Sequence, residues 1–227
     1  MKNSDMFKRY GMFIAGVIFS ALGISLITKA GLGTSPITSL AFVLTFIFPH
    51  TLGTFTMMVN SVMFIIQVIL LGKAFQKIQL LQLPAALLFS VCIDGWLCIL
   101  SYWQTGGYVG QVLMLLLLLL GCVFLGLGIA FEVIPNVLIL PGEGLVRVIA
   151  GLTGWRFGRV KTGFDMSIVA SAVVVSVAVT GHVLGIREGT VMAALIVGSI
   201  SHFFIEKVSA ALGGWIPSYT EAGDACS

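Results

Sequence analysis

Charged residues are scarce in this sequence, and their scarcity sets the class of protein. Only 9% of the 227 residues are Asp, Glu, Lys or Arg, whereas 58% are hydrophobic and the mean hydropathy is +1.09. A soluble domain carries about a quarter charged residues, so this composition excludes one and indicates an integral membrane protein. The net charge of +3 is explained by membrane topology, and nothing in it indicates a nucleic-acid partner.

Residues that hold metals or carry out catalysis are also few. The chain has 3 His and 4 Cys, and the cysteines lack metal-ligand spacing. Three of them, Cys92, Cys98 and Cys122, lie in apolar runs, where a small packing residue is expected. The sequence has no nucleotide-binding motif and no nucleophile elbow. We therefore predict no metal, no cofactor and no enzymatic activity.

Long apolar runs are abundant. Six are long enough, at about 17–25 residues, to cross a bilayer as helices. Runs such as LMLLLLLLGCVFLGLGIAF (residues 113–131) lack the alternation of a transmembrane barrel, so the predicted fold class is all-α integral membrane. The first run exceeds the length of a signal-peptide core and is predicted to be retained. The six runs are 10–30, 54–73, 80–102, 110–134, 162–182 and 189–212.

Lys and Arg are distributed unevenly between the two sides that six crossings define. Only Lys29 and Arg187 fall on one side. Because basic residues collect in cytoplasmic segments, we predict that both termini are cytoplasmic. The residues on the other side are Lys2, Lys8, Arg9, Lys73, Lys77, Arg147, Arg156, Arg159, Lys161 and Lys207.

The sequence resembles itself when it is shifted by 105 residues. With an offset of 108, Asp94 also falls on His202. We interpret this as a duplication, with a first three-helix repeat at 1–107, a second at 108–215 and a C-terminal tail at 216–227, in a single membrane domain. The pairs in register at 105 are Gly16 and Gly121, Gly23 and Gly128, Pro36 and Pro141, Gly53 and Gly158, and Asn60 and Asp165.

Three crossings per repeat is an odd number, so the second repeat must enter the membrane from the opposite side. The two halves are therefore predicted to be inverted, an arrangement common in secondary transporters. Each half also contains a short interrupted segment, GLGTSPITSL (31–40) continuing to residue 48 and PGEGLVRVIAGLTG (141–154). These segments are too short to cross and are predicted to be re-entrant half-helices; the alternative is an extramembrane loop with a short surface helix.

The starts of these two segments are the predicted substrate site. Free N–H groups at a helix N-terminus favour an anionic or polar group. Gln67 lies two turns after Asn60, so both amides would line a cavity or, alternatively, bridge helices. The predicted substrate-binding residues are Thr34, Ser35, Pro36, Asn60, Pro141, Gly142, Glu143, Gly144 and Asp165.

Ionisable groups at membrane depth are candidates for proton coupling. These candidates are Asp94, Glu143, Asp165 and His202, and each could instead have a structural role, such as a helix cap or an ion pair. A basic cluster formed by Arg156, Arg159 and Lys161 is predicted to contact lipid headgroups.

Three segments carry a resemblance to a known family: GLGTSPITSL (31–40), PGEGLVRVIA (141–150) and GRVKTGFDMSIV (158–169). Over about residues 8–212, the sequence resembles the YczE/YyaS/YitT-like bacterial integral membrane proteins. Members are often described as transporters or permeases, and the resemblance implies a bacterial inner-membrane location. It implies no catalytic or substrate residue.

These observations predict a secondary transporter for a small polar or anionic solute that works by alternating access. Two alternatives remain open. One is a membrane-embedded binding or assembly subunit of a larger complex, and the other is a lipid-handling protein. Membrane lipids are predicted partners in each case, and the sequence does not decide between a homo-oligomer and an assembly with a partner subunit.

Overall fold

A computed structural model describes residues 3–102, 107–155 and 157–211. Within these ranges all regular structure is helical, with eight α-helices and three short 3-10 turns. The turns are Pro36–Thr38, Gly72–Ala74 and Lys77–Leu81. The helices are α1 Asn3–Lys29, α2 Ser39–Ile47, α3 Leu52–Leu71, α4 Gln82–Ser101, α5 Gly107–Val133, α6 Pro141–Thr153, α7 Phe157–Thr180 and α8 Glu188–Ala211.

Six of the helices are long and apolar enough to cross a membrane, which confirms the predicted number of spans. The second span, which contains α3, begins slightly earlier than the apolar run suggested, because Thr51 caps α3 by accepting a 3.2 Å hydrogen bond from the backbone N–H of Thr54. The spans are Met6–Lys29, Leu52–Ala74, Lys77–Ser101, Gly110–Val133, Gly158–Thr180 and Glu188–Ala210.

Helices α1 and α5 pack closely through glycines at the centre of the bundle. A Cβ built on Gly16 would lie 2.9 Å from the carbonyl oxygen of Gly128, and a Cβ built on Gly23 would lie 2.7 Å from that of Gly121. A larger side chain at either position therefore has no room. Because the residue number rises along α1 as it falls along α5, the two helices run antiparallel.

The remaining helices are arranged on both sides of this central pair. Helix α4 packs on α1, and α8 packs on α5. Helix α3 packs on α6, and α2 packs on α7. Each short helix also packs on the long helix that follows it, α2 on α3 and α6 on α7.

Two short helices occupy the places that the interrupted segments predicted. Helix α6 has 13 residues, about 20 Å at 1.5 Å per residue, whereas a bilayer core is about 30 Å thick. It starts at Pro141, whose fixed φ and missing N–H suit a first turn, and it ends at Gly154 in the left-handed region at φ 67°. Helix α2 follows the turn Pro36–Thr38 directly and ends at Ile47.

Candidate functional site

A half-buried ion-pair network lies where α6 and α7 begin. Nζ of Lys161 lies 3.1 Å from Oδ1 of Asp165 and 3.8 Å from Oε1 of Glu143. The three side chains are only 25%, 20% and 18% exposed, respectively. Lys161 and Asp165 are four residues apart on α7 and therefore share a helix face, whereas Glu143 reaches them from the first turn of α6.

A third carboxylate, Glu132 at the end of α5, belongs to the same network. It is 4% exposed and its Oε1 accepts a 2.6 Å hydrogen bond from the hydroxyl of Ser20 on α1. It also interacts electrostatically with Glu143 and Lys161. We call Glu132, Glu143, Lys161 and Asp165 the charged cluster. When all four groups are ionised, the charged cluster has three negative charges and one positive charge.

The protonation of Glu143 responds to these surroundings. Burial raises the pKa of the Glu143 carboxyl above its ordinary value near 4.5, and the negative charge of Asp165 raises that pKa further. The Lys161 ammonium opposes both effects, but the net direction is upward. Glu143 is therefore the cluster member outside the spanning helices that holds a proton more readily than an exposed glutamate.

The start of the first short segment is a network of neutral hydroxyl groups. Thr34 and Ser35 are 0% and 2% exposed. The Thr34 hydroxyl lies 3.1 Å from that of Thr28 and 3.0 Å from that of Thr38, which also lies 3.0 Å from the hydroxyl of Ser35. The backbone N–H of Thr34 donates to the Thr190 hydroxyl at 3.1 Å, so the start of α8 closes over this segment.

The starts of the two short segments contact each other. A Cβ built on Gly142 would lie 2.5 Å from Cδ1 of Ile37, and 3.5 Å from Sδ of Met63 on α3. Pro36 and Pro141, the neighbours of Ile37 and Gly142, are both buried. The structure therefore brings together the two regions from which the sequence predicted a substrate site.

Other predicted site residues lie outside the charged cluster. Asn60 is 7% exposed, and its amide Nδ2 donates to the carbonyl oxygen of Thr56 in its own helix at 2.9 Å. No hydrogen bond in the described chain joins Asn60 to Asp165. Gly144 lies next to Gln67, since its Cβ would lie 2.7 Å from Oε1 of that side chain.

Asp94 is a cap for helix α3. Its Oδ1 accepts a 2.8 Å hydrogen bond from the backbone N–H of Gly53, and its Oδ2 accepts a 2.6 Å bond from the Thr51 hydroxyl. His202, its counterpart in the repeat, has a side chain that is 71% exposed and lies 3.6 Å from Glu206 of the same helix. Neither residue is part of the charged cluster.

The three residues of the predicted basic cluster have different positions. Arg156 lies outside the described residues. Arg159 is exposed at the start of α7. Lys161 instead pairs with Glu143 and Asp165. In the part of the chain that the structure describes, no group of three or more His, Cys, Asp or Glu residues is arranged to hold a metal ion.

Two functional candidates were missing from the predicted site. Glu132 carries the signal of an acid at the end of an apolar run, yet its partner Ser20 lies 112 positions away. Gln82 begins α4 and is 4% exposed. Its Oε1 would lie 3.3 Å from a Cβ on Gly144. No local sequence pattern predicts this contact between α4 and α6.

The chain is similar over most of its length to two bacterial proteins, one of which is described as a membrane protein. A family of unknown function (DUF6198) matches residues 7–206. A Bacillus subtilis (strain 168) protein described as "Uncharacterized membrane protein YczE" is 28% identical over 204 residues, covering 89% of this chain and 88% of the relative. Another protein of that strain, "Uncharacterized protein YyaS", is 27% identical and covers 88% of this chain and 94% of the relative. No solved structure matches the chain.

Proposed function

The chain belongs to the DUF6198 family of unknown function, and we propose that it is a secondary transporter that moves a small polar or anionic solute across the bacterial inner membrane by alternating access. A relative described as a membrane protein and six helices long enough to span support the membrane setting. The transport role is our inference from the geometry of the two short helices and the charged cluster.

The observation that carries the proposal is the contact between Ile37 and Gly142. These residues are 105 positions apart, which is the offset of the internal repeat, so they are equivalent residues of the two halves. Helix starts that meet inside a bundle bring free N–H groups to one place, where they favour a polar or anionic solute. Transporters with inverted repeats bind their solutes at such a junction.

The packing of α1 against α5 supports the inverted relation between the halves. At the offset of 105, Gly121 is the equivalent of Gly16, and Gly128 is the equivalent of Gly23. The contact between Gly16 and Gly128 therefore has a symmetric counterpart between Gly121 and Gly23, and both contacts are present. An antiparallel pair of equivalent helices is expected for halves that cross the membrane in opposite directions. We propose that rocking of one half against the other about this pair exposes the site alternately to each side.

The charged cluster supports coupling of transport to protons. With all groups ionised it carries an excess of negative charge, which repels an anionic solute at the start of α6. Protonation of Glu143, whose pKa is raised, removes part of that repulsion. Solute and proton would then bind together, and the thermodynamic coupling between them is reciprocal.

Transport by purified protein in liposomes tests this function. The liposomes would contain trapped pyranine to follow internal pH while a panel of small carboxylic and hydroxy acids is added outside. We expect at least one acid to drive proton entry with the natural chain, and Glu143→Gln to abolish proton entry while solute exchange continues. His202→Gln, which changes an exposed group outside the charged cluster, is the control. Equal proton entry with Glu143→Gln and the natural chain would contradict the coupling.

One observation favours a subunit of a larger assembly as a second candidate. Only 11% of the spanning window of α7 and of α8 is buried. Helices α3 and α4, their equivalents, pack on each other, whereas the described residues of α7 and α8 share no extensive contact. We propose that a second copy or another membrane protein covers the exposed faces of α7 and α8. Purification in mild detergent that yields a stoichiometric complex, together with no transport by the isolated chain, would favour this candidate.

A further inference from the structure

A polar pocket lies at the end of the bundle where α3 ends and α4 and α6 begin. Its volume is about 200 Å³, which is below the roughly 300 Å³ at which pockets for drug-sized ligands begin. Six of the side chains that line it are polar, and none of its lining residues is acidic. We call it the glutamine pocket; its polar residues are Gln67, Gln76, Gln79, Gln82, Asn136 and Arg147.

Buried amide oxygens in the glutamine pocket have no partner in the described protein. Gln67 and Gln82 are 1% and 4% exposed, and their Oε1 atoms accept no hydrogen bond. The Oε1 of Gln79 is also buried and unpaired. Leaving a buried polar atom unpaired destabilises a folded protein by about 1–3 kcal/mol. Three unpaired oxygens at one pocket are therefore destabilising unless a ligand supplies hydrogen-bond donors.

The unpaired oxygens of Gln67 and Gln82 both lie next to Gly144. Both approach Gly144, at 2.7 Å for Gln67 and 3.3 Å for Gln82 from the position of its Cβ. A side chain at residue 144 would fill this space, so glycine keeps it open. Each amide offers a donor as well as an acceptor, and a hydroxyl group, which also donates and accepts, can pair with either end.

Arg147 adds a positive charge to the same pocket. It lies one turn after Glu143 on α6, but the ion-pair partner of Glu143 is Lys161. Arg147 itself forms no ion pair with a carboxylate of the described chain. Its guanidinium can hold a carboxylate through two parallel hydrogen bonds. The pocket therefore combines one group that needs an anion with several that need hydroxyl or N–H groups.

We propose that the glutamine pocket binds a small hydroxylated organic acid, with the acid group on Arg147 and the hydroxyl groups on Gln67 and Gln82. The claim that this acid is also transported rests on the proposed function, whereas the claim that it binds does not. Gly144 lines the glutamine pocket, and the residue before it, Glu143, belongs to the charged cluster. The pocket and the charged cluster are therefore neighbours on α6.

Three probes separate the two parts of the proposed ligand. Glycerate has a carboxylate and two hydroxyl groups, propionate has only the carboxylate, and glycerol has only hydroxyl groups. Thermal unfolding of the full chain in neutral detergent, at equal probe concentrations, is the measurement. We expect glycerate to raise the unfolding temperature more than propionate and glycerol do together. A glycerate effect no larger than either of the others would overturn the proposal.

Variants assign the effect to the pocket. Arg147→Gln should weaken glycerate about tenfold or more, as expected for loss of a charged hydrogen bond, and Arg159→Gln, an exposed arginine outside the pocket, should not. Gln67→Leu should abolish the glycerate effect while the unfolding temperature without glycerate rises, because an unpaired buried oxygen is removed. A fall in that temperature would show that the amide has a structural partner and would contradict the proposal. Gln111→Leu, at an exposed position on α5, is the control.

The same chemistry also occurs in a lipid headgroup, since phosphatidylglycerol presents an acid and two hydroxyl groups. Protein in phosphatidylcholine nanodiscs with and without phosphatidylglycerol distinguishes the two sources. Stabilisation by glycerate assigns the pocket to a free solute, and stabilisation by phosphatidylglycerol alone, lost in Arg147→Gln, assigns it to a headgroup. Glycerate binding without flux in liposomes would support the binding proposal and contradict the transport function. Flux that is unaffected by Arg147→Gln would support the transport function and contradict the role of the glutamine pocket in it.

Discussion

The hydroxyl of Ser20 donates a 2.6 Å hydrogen bond to Oε1 of Glu132 and so joins α1 to α5 inside the bundle. Ser20 is 2% exposed and Glu132 is 4% exposed. Gly16 lies one turn before Ser20, and a Cβ on it would lie 2.8 Å from the backbone nitrogen of Glu132. The charged cluster is thus attached directly to the central helix pair.

Replacement of Ser20 by alanine should destabilise the protein by about 1–3 kcal/mol, because the buried Glu132 carboxyl loses its hydrogen-bond donor. Equilibrium unfolding in mixed detergent micelles measures the change. Ser61→Ala is the matched control, since the Ser61 hydroxyl bonds only to a carbonyl oxygen of its own helix, that of Met57. Equal effects of the two substitutions would mean that the contact between α1 and α5 contributes nothing specific.

Gly16→Ala should destabilise the protein by about 1–3 kcal/mol through overpacking. The added methyl group would collide with backbone atoms of Glu132 and Gly128, which can move only if the two helices separate. Gly11→Ala on the same helix is the control, because nothing lies within 4 Å of a Cβ there, and alanine favours a helix over glycine by about 1 kcal/mol. The unfolding temperatures of the two variants should therefore change in opposite directions, and a parallel change would contradict the close packing.

The stability of the protein should depend on pH through Glu143. Because the pKa of this carboxyl is higher in the folded than in the unfolded chain, the folded state binds its proton more tightly. The contribution to stability is complete below the ordinary pKa near 4.5 and is lost as the pH rises through the higher, folded value. Glu143→Gln should remove this loss.

Unfolding temperatures of the natural chain and of Glu143→Gln measure the effect across about pH 4 to 9, a range that begins just below the ordinary glutamate pKa and extends well above it. As the pH rises, the unfolding temperature of Glu143→Gln should increase relative to that of the natural chain. Glu188→Gln, at an exposed position that starts α8, is the control and should follow the natural chain. A constant difference between Glu143→Gln and the natural chain would mean that the carboxyl titrates alike in both states.

Asp94→Ala should lower stability by about 0.5–2 kcal/mol, as expected for loss of a helix cap, and should leave proton coupling intact. Thr51→Ala removes the other partner of the same arrangement. The two substitutions together should cost less than their sum, because each breaks the bond between Thr51 and Asp94. Loss of proton-driven transport in Asp94→Ala, with solute exchange unchanged, would contradict a purely structural role and would show that Asp94 takes part in proton coupling.

The sequence predicted the helices well because their signals are local. Each spanning helix is a continuous apolar run, and the short helix at 141 follows a proline that suits a first turn. The prediction of Glu143 and Asp165 as ionisable site residues used the same kind of signal, a charged group inside an apolar region.

The parts of the site that the sequence did not predict depend on contacts between distant residues. Ser20 and Glu132 meet only because α1 and α5 cross. Lys161 was assigned to lipid headgroups because a basic residue after a span also fits the topology rule, yet its spacing from Asp165 already allowed an ion pair on one helix face. Which of the two roles Lys161 takes is decided by the position of α6.

The contact of Ile37 with Gly142 also bears on ancestry. If each half descends from one three-helix unit, the ancestor would have assembled as a dimer of two identical chains inserted in opposite directions, and this contact would have joined a residue to its own copy. In such a dimer a lysine or glutamate would occur on both sides of the symmetry axis. Fusion into one chain removes that requirement, and it accounts for a neutral Thr38, Thr56 and Asn60 in the positions where the other half has Glu143, Lys161 and Asp165.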